Sequence, residues 1–180
     1  SFIEESNVDQ KYDKQIINIF IQSIYSLNFI FWEKFFLPFL RNNPDFIKRN
    51  ISLLICETFT DHTCFFASAF LKYPGIDINF VNDEESYLKN AISESNINAI
   101  KLLLKNPNID INLEIYSGIT AFQYAVYKNK PIEILEILSK VPSIDINKID
   151  ELTEFNSLTL AAYQHNFFTF NFITNNFPNT

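Results

Sequence analysis

Apolar residues recur along the chain at the three- and four-residue spacing of a helix, in short segments separated by polar residues. Leu88–Ile92 and Ile97–Leu104 are two such segments, with Ser93–Asn96 between them. The same order recurs twice further along, at Phe122–Val126 with Ile132–Leu138 and at Leu158–Ala162 with Phe167–Ile173. This periodicity predicts pairs of short amphipathic helices.

A tetrapeptide links these predicted helix pairs. The sequence Ile-Asp-Ile-Asn occurs at Ile76–Asn79, Ile109–Asn112 and Ile144–Asn147, at spacings of 33 and 35 residues, and each copy follows a proline. Short helices bury too little apolar surface alone, so units of this length are expected to lean on their neighbours. The Asp of each copy is expected to hydrogen-bond nearby backbone amides in its turn.

These units resemble the ankyrin repeat, which has a β-turn and two helices over about 33 residues. Ile109–Asn112 stands where that family has Ala-Asp-Val-Asn, and Gly118–Ala125 stands where it has Gly-x-Thr-Pro-Leu-His-x-Ala. Leu158–Ala162 differs from Leu-His-Leu-Ala-Ala only at Thr159. The clear resemblance runs roughly from Leu71 to Ile173.

The resemblance implies an all-α fold, an ankyrin-like helical-repeat solenoid of about five helix pairs joined by extended β-turn loops. The expected organisation is a flexible segment over residues 1–14 followed by one repeat domain over residues 15–180. Its units are degenerate pairs at 15–44 and 45–75 and clearer repeats at 76–108, 109–143 and 144–180. Further repeats are expected after residue 180 in a longer chain.

Two departures from the family pattern bear on how the units join. Gln123, Lys89 and Thr159 occupy the family's His position, so hydrogen bonding between units is expected to be looser. Ser95, Asn129 and His165 replace the glycine between the two helices, and of these only Asn is at ease in the left-handed region.

Charge and composition limit the classes of partner. The net charge is −7, and no cluster of Lys or Arg is present, which disfavours nucleic acid and anionic membranes. The stretch Ile16–Leu40 is apolar but is interrupted by polar and charged residues, so it predicts a helix pair rather than membrane insertion. Another protein is the expected partner, and a basic one is compatible with the charge.

The two cysteines indicate a reducing compartment. Cys56 and Cys64 form no disulfide framework and the N-terminal residues lack the pattern of a signal peptide, so a cytoplasmic, intracellular protein is expected. Cys56, His62 and Cys64 do not have the spacing of a zinc site, and no metal is expected.

The sequence contains no recognisable catalytic motif. Phosphate-binding loops, dinucleotide fingerprints, nucleophile elbows and the zinc-protease motif are all absent, and only two glycines are present in the 180 residues. The chain is therefore predicted not to be an enzyme, with no cofactor and no catalytic residue.

The candidate partner-binding residues follow from the resemblance. In ankyrin-like folds the extended turns and first helices line a concave binding surface, and tyrosines there offer large, rigid contact areas. These positions correspond to Val81, Asp83, Glu84, Ser93, Glu94, Glu114, Tyr116, Ser117, Ile119, Tyr127, Lys128, Ile149, Glu151, Leu152, Tyr163 and Gln164. The predicted function is a protein–protein interaction scaffold; the alternative is a regulatory or targeting arm of a larger enzyme or channel.

Overall fold

The computed structural model describes residues 2–56, 58, 64–72, 76–82 and 85–179, and these residues form two compact units. Unit 1 spans Ser1–Asp77 and unit 2 spans Ile78–Thr180. Within the described residues, no helix combines the length and apolar character needed to cross a membrane.

Unit 1 consists of helices and is held together by aromatic side chains. Its elements are α1 (Phe2–Tyr25), α2 (Phe29–Phe31), a π-helical turn (Trp32–Phe36), α3 (Leu37–Asn42), α4 (Pro44–Cys56) and α5 (Cys64–Phe70). Phe36 is fully buried, with its ring centroid 4.0 Å from that of Phe20 and 4.2 Å from that of Trp32. Trp32 in turn lies edge-on to Phe66 and Phe70, at 4.6 and 4.9 Å. Offset and edge-on rings of this kind stabilise each other beyond the area they bury.

Unit 2 alternates short hairpins with helix pairs. Its elements are β1 (Val81–Asn82), β2 (Glu85–Ser86), α6 (Tyr87–Ser93), α7 (Ile97–Leu104), β3 (Glu114–Tyr116), β4 (Ile119–Thr120), α8 (Ala121–Tyr127), α9 (Ile132–Ser139), α10 (Ser157–Tyr163) and α11 (Phe167–Asn176). Helix α8 contacts both α6 and α10, and each of these packs against the helix that follows it. Ala91, Ala125 and Ala161 are fully buried, and such small side chains allow close approach of the helices.

The prediction of an all-α, ankyrin-like solenoid is wrong. Two antiparallel two-stranded sheets, β1–β2 and β3–β4, form from stretches that were expected to be extended turns, so the fold is mostly helical but not all-α. The physical reason is clear at the second hairpin. Ser117 and Gly118 have φ values of 44° and 84°, and positive φ at both central residues is the two-residue turn that matches the twist of paired strands.

The residues in place of the inter-helix glycines all adopt the left-handed conformation. Ser95, Asn129 and His165 have φ values of 53°, 50° and 56°. Lys130 compensates in part at the first position, since its ammonium donates to the Ser93 carbonyl at 2.6 Å and to Ser95 Oγ at 3.1 Å. The left-handed turn therefore forms without glycine, although this conformation is less favourable in free energy for Ser and His.

The Asp residues of the second and third tetrapeptides hydrogen-bond backbone amides in their own turns, as predicted. Asp110 Oδ1 accepts from the Asn112 amide at 2.9 Å, and Asp145 Oδ1 accepts from the Asn147 amide at 2.9 Å. Each Asp therefore closes the turn that presents the following Asn side chain.

Candidate tyrosine cleft

A cleft of about 350 Å³ opens in unit 2 between the β3–β4 hairpin, the end of α8, residues 150–155 and α10. Its lining is mainly apolar and aromatic. The residues that line it are Tyr116, Ser117, Ile119, Gln123, Tyr127, Asp150, Leu152, Thr153, Phe155, Leu160, Tyr163 and Gln164. We call this feature the tyrosine cleft. Apolar concavities of this size, with a few polar groups, are typical of binding sites.

Aromatic rings form two walls of the tyrosine cleft. On one side, the Tyr116 ring centroid lies 5.3 Å from that of Tyr124 and 6.5 Å from that of Tyr127, the latter pair stacked at 25°. On the other side, Phe155 and Tyr163 lie 5.2 Å apart. Tyr163 is 70% exposed and Tyr127 is 43% exposed, so these rings offer contact area to a ligand instead of filling the core.

A lysine that does not line the cleft lies against the rings of the first wall. Lys128 Nζ lies 4.9 Å from the Tyr127 centroid and 5.8 Å from the centroids of Tyr116 and Tyr124. An ammonium at this distance is attracted by the ring quadrupole. Because this side of the tyrosine wall already holds a cation, the cleft itself favours an apolar or aromatic side chain over a positively charged one.

The loop that forms the rim at residues 150–155 is fixed by Asp150 and Gln123. The buried Asp150 carboxylate accepts from the Leu152 amide at 3.1 Å and from Thr153 Oγ1 at 2.5 Å. Gln123 Nε2 donates to the carbonyls of Lys148 at 2.8 Å and Phe155 at 3.3 Å. These bonds hold the loop over the cleft before any ligand arrives.

The hydrogen bonds of Gln123 contradict the expectation of looser hydrogen bonding between neighbouring helix pairs. Its position was expected to loosen that bonding because it replaces the family's His. Its Oε1 instead accepts from the Thr120 amide at 2.9 Å, in a capping box at the start of α8, while its amide reaches the loop before α10. One buried side chain therefore satisfies the helix start and two carbonyls of the next segment.

Seven of the sixteen predicted binding residues line the tyrosine cleft: Tyr116, Ser117, Ile119, Tyr127, Leu152, Tyr163 and Gln164. Tyr116, Tyr127 and Tyr163, the three tyrosines among the predictions, are all in this group. Ile119 is buried, whereas Leu152 is 82% exposed at the rim. Gln164 Nε2 donates to the Tyr127 carbonyl at 2.9 Å, which ties the end of α10 to the end of α8.

The other predicted residues lie outside the cleft lining. Asp83 and Glu84 lie outside the described residues. Glu114 pairs with Lys148 at 3.0 Å, and the Ser93 hydroxyl hydrogen-bonds with Tyr124 Oη at 2.7 Å. The remaining predicted binding residues are exposed but do not line the cleft: Val81, Glu94, Lys128, Ile149 and Glu151.

Five residues of the cleft lining were not among the predictions: Gln123, Asp150, Thr153, Phe155 and Leu160. Phe155 and Leu160 are apolar, but nothing in the neighbouring sequence indicated that they line the same cleft as Tyr116. Asp150 is missed because its role depends on the fold of the 150–155 loop.

The side chains of Cys56 and Cys64, and all of His62, lie outside the described part of the chain. Among the described residues, no cluster of three or more His, Cys, Asp or Glu side chains has the arrangement of a metal site.

The hairpin turn at the cleft mouth gives a direct test of this geometry. Changing Gly118 to alanine is expected to lower the free energy of unfolding of unit 2 by about 1–2 kcal/mol, since an L-residue at this φ is strained. A Cβ at Gly118 would also lie 3.1 Å from Asp150 Oδ1. Urea denaturation followed by the amide NMR signals of residues 114–120 measures the effect.

The neighbouring residue is the matched control. Ser117→Gly removes a Cβ from a positive-φ position in the same turn and is expected to leave stability unchanged or raise it by up to about 1 kcal/mol. Equal losses from both substitutions would contradict a turn with positive φ at both residues.

Neither a protein-family model nor a curated protein matches the sequence of this chain.

Proposed function

We propose that this protein is a protein–protein interaction module whose unit 2 holds an apolar or aromatic side chain of a partner polypeptide in the tyrosine cleft. The observation that carries the proposal is the meeting of Tyr116, Tyr127 and Tyr163 around one preformed cavity of about 350 Å³. Tyrosine is enriched among residues that dominate binding energy, because it gives large contact area with few rotatable bonds.

The polar groups of the tyrosine cleft support binding over catalysis. Both oxygens of the Asp150 carboxylate accept hydrogen bonds from its own loop, and the Gln123 amide is fully engaged with backbone groups. Because Asp150 is only 4% exposed, the remaining lone pairs of its carboxylate are poorly accessible to a substrate, whereas a general base must reach the substrate proton. Asp150 and Gln123 therefore hold the walls of the binding site in place, and the aromatic rings make the contacts with the ligand.

Charge at the rim defines the expected flanking residues of the partner. Glu151 and Glu154 are exposed on either side of Leu152 in the rim loop. A peptide with an aromatic or aliphatic anchor next to a Lys or Arg complements this arrangement, and it suits the net charge of −7. The expected setting is the cytoplasm, on the evidence of the sequence. The resemblance to the ankyrin-repeat family likewise stays a prediction that rests on the sequence motifs.

Selection of peptides from a displayed random library against the whole protein tests the proposal. A synthetic peptide from the selection is then titrated calorimetrically into the wild type and into Tyr163→Ala. We expect Tyr163→Ala to weaken binding roughly 30-fold, the effect of losing about 2 kcal/mol at an interface anchor. Raising the salt from about 50 to about 500 mM is expected to weaken binding further if a basic flank is present.

Phe168 provides the control for a general loss of exposed aromatic surface. It is 83% exposed in α11 and does not line the cleft, so Phe168→Ala is expected to leave the affinity unchanged. Selected peptides that bind Tyr163→Ala as tightly as the wild type would overturn the proposed site.

A further inference from the structure

Gln164, which lines the tyrosine cleft, uses only one end of its side-chain amide. Its Nε2 donates to the Tyr127 carbonyl at 2.9 Å. A carbonyl oxygen can only accept, so the amide nitrogen must face Tyr127 and the amide oxygen is the other end. In the described part of the chain, no hydrogen-bond donor meets this Oε1, although the atom is shielded from solvent. The lining of the cleft therefore includes an acceptor that is not used within the described residues.

A buried acceptor without a partner is unusual in a folded protein. Most buried polar atoms are hydrogen-bonded, because an unpaired one has lost its bonds to water and gained nothing in return. Asp150 and Gln123, the other polar side chains described at the cleft, follow this rule. A ligand that brings a donor to Gln164 Oε1 gains more than from an exposed acceptor, since the acceptor has no bond to water to give up.

The chemistry of the cleft selects among the possible donors. A positively charged side chain is disfavoured, since Lys128 Nζ already lies 4.9 Å from the Tyr127 ring centroid. A tyrosine hydroxyl donates, but its oxygen is also an acceptor that needs a donor of its own. The indole N–H of tryptophan only donates, and the rest of its ring is apolar and stacks well on other aromatic rings. Tryptophan is therefore the side chain that satisfies both Gln164 and the aromatic walls.

We propose that the partner side chain in the tyrosine cleft is a tryptophan whose indole N–H donates to Gln164 Oε1; this depends on the proposed function, because it names the side chain that the cleft binds. Gln164 is partly exposed, so its side chain has room to rotate about the Cγ–Cδ bond and turn Oε1 toward the indole. The aromatic walls supply most of the contact area. Gln164 is the specificity-determining residue, since it distinguishes tryptophan from an apolar ring of the same shape.

Two blocked tripeptides that differ only at the anchor test this assignment. One is Lys-Trp-Lys, whose lysines complement the exposed Glu151 and Glu154 of the rim. In the other, benzothienylalanine replaces tryptophan, so sulfur takes the place of the indole N–H in a ring of nearly the same shape. Each is titrated into the isotopically labelled protein, and NMR follows the backbone amides of the cleft lining and the Gln164 side-chain amide. We expect Lys-Trp-Lys to bind with a Kd on the order of 1 mM, and the benzothienylalanine peptide to bind roughly 5- to 10-fold more weakly.

Two substitutions separate a direct contact of Gln164 from an effect on the position of the cleft walls. Gln164→Met and Gln164→Glu both lose the bond to the Tyr127 carbonyl, but only Glu keeps an acceptor. We expect Gln164→Met to bind the two peptides equally and Gln164→Glu to keep the preference for tryptophan. Gln22→Met, at an exposed glutamine of α1 that does not line the cleft, should keep the wild-type preference.

The outcomes distinguish this assignment from the proposed function. Equal binding of the two peptides at the cleft, as when the peptide backbone supplies the donor, would overturn the assignment and leave the proposed function in place. A preference for tryptophan that is unchanged in Gln164→Met would also overturn it, because the donor would then meet another acceptor. Absence of shifts at the cleft with either peptide at about 10 mM would overturn the cleft as a binding site, and the assignment with it.

Discussion

Replacing Phe36 by alanine is expected to lower the free energy of unfolding of unit 1 by about 3–5 kcal/mol. Phe36 is fully buried, and its ring contacts Phe20, Trp32 and Phe70 at centroid distances of 4.0, 4.2 and 5.6 Å. Truncation removes the transfer free energy of the ring and leaves a cavity that three rigid aromatic neighbours cannot close easily.

The chain provides its own probe for this measurement. Trp32 is the only tryptophan of the protein and is buried against Phe36, so its fluorescence in a urea titration reports on unit 1. Phe35, the residue just before Phe36, is 61% exposed. Phe35→Ala is expected to cost less than about 1 kcal/mol. Similar losses from the two substitutions would mean that the aromatic packing described for unit 1 is incorrect.

Replacing Gln123 by alanine is expected to lower the free energy of unfolding of unit 2 by about 2–4 kcal/mol, since three hydrogen bonds of about 1 kcal/mol each are lost and buried backbone groups are left without a partner. The side chain is 1% exposed and bonds to the Thr120 amide and to the carbonyls of Lys148 and Phe155. Thermal and urea denaturation of the variant measure the change.

The loss of Gln123 should also reach the tyrosine cleft. Since its amide holds the segment that carries Phe155, peptide binding to Gln123→Ala is expected to weaken even at temperatures where the variant is folded. Thr159 is the matched control, because it fills the equivalent capping-box position of α10 but hydrogen-bonds only to Asn156. Thr159→Ala is expected to cost about 1 kcal/mol and to leave peptide affinity unchanged. A Gln123→Ala protein as stable as Thr159→Ala would contradict the role assigned to Gln123.

Helical periodicity predicted the local structure of unit 2 better than its assembly. The segments Ile97–Leu104 and Ile132–Leu138 were expected to be helices, and they correspond to α7 and to most of α9. Local signals of this kind depend on residues within one turn of each other, so sequence carries them directly. The turn roles of Asp110 and Asp145 were predictable for the same reason.

The hairpins were missed because their strands are only two or three residues long. In Glu114–Thr120 no alternation of apolar and polar residues is long enough to indicate a strand, and the pairing depends on positive φ at Ser117 as well as at Gly118. A serine in that conformation is not expected from its intrinsic preferences. The segment was therefore interpreted as an extended turn, and the fold class was wrong.

The tyrosine cleft could be predicted only in part. Its three tyrosines stand at positions that the sequence marked for binding, but the opposite wall depends on contacts between residues far apart in the chain. Phe155 lies near the cleft because Gln123, 32 residues earlier, hydrogen-bonds its carbonyl. A contact between residues so far apart produces no periodic pattern in a single sequence, and neither Gln123 nor Phe155 is an unusual residue type at its position.

The hydrogen bonds from the Asn79 and Asn112 side chains to the main chain affect how freely the sequence can change over evolutionary time. Asn79 hydrogen-bonds the Asn108 carbonyl and the Asp110 amide, and Asn112 hydrogen-bonds the Ser143 carbonyl and the Asp145 amide, so these contacts do not specify the side chains of the held segments. The variable residue after the proline is Asn108 in one segment and Ser143 in the other, with the same pair of hydrogen bonds. Mutations at this variable position should accumulate readily so long as the backbone path is preserved, whereas the two asparagines and the turn-closing Asp110 and Asp145 should resist replacement.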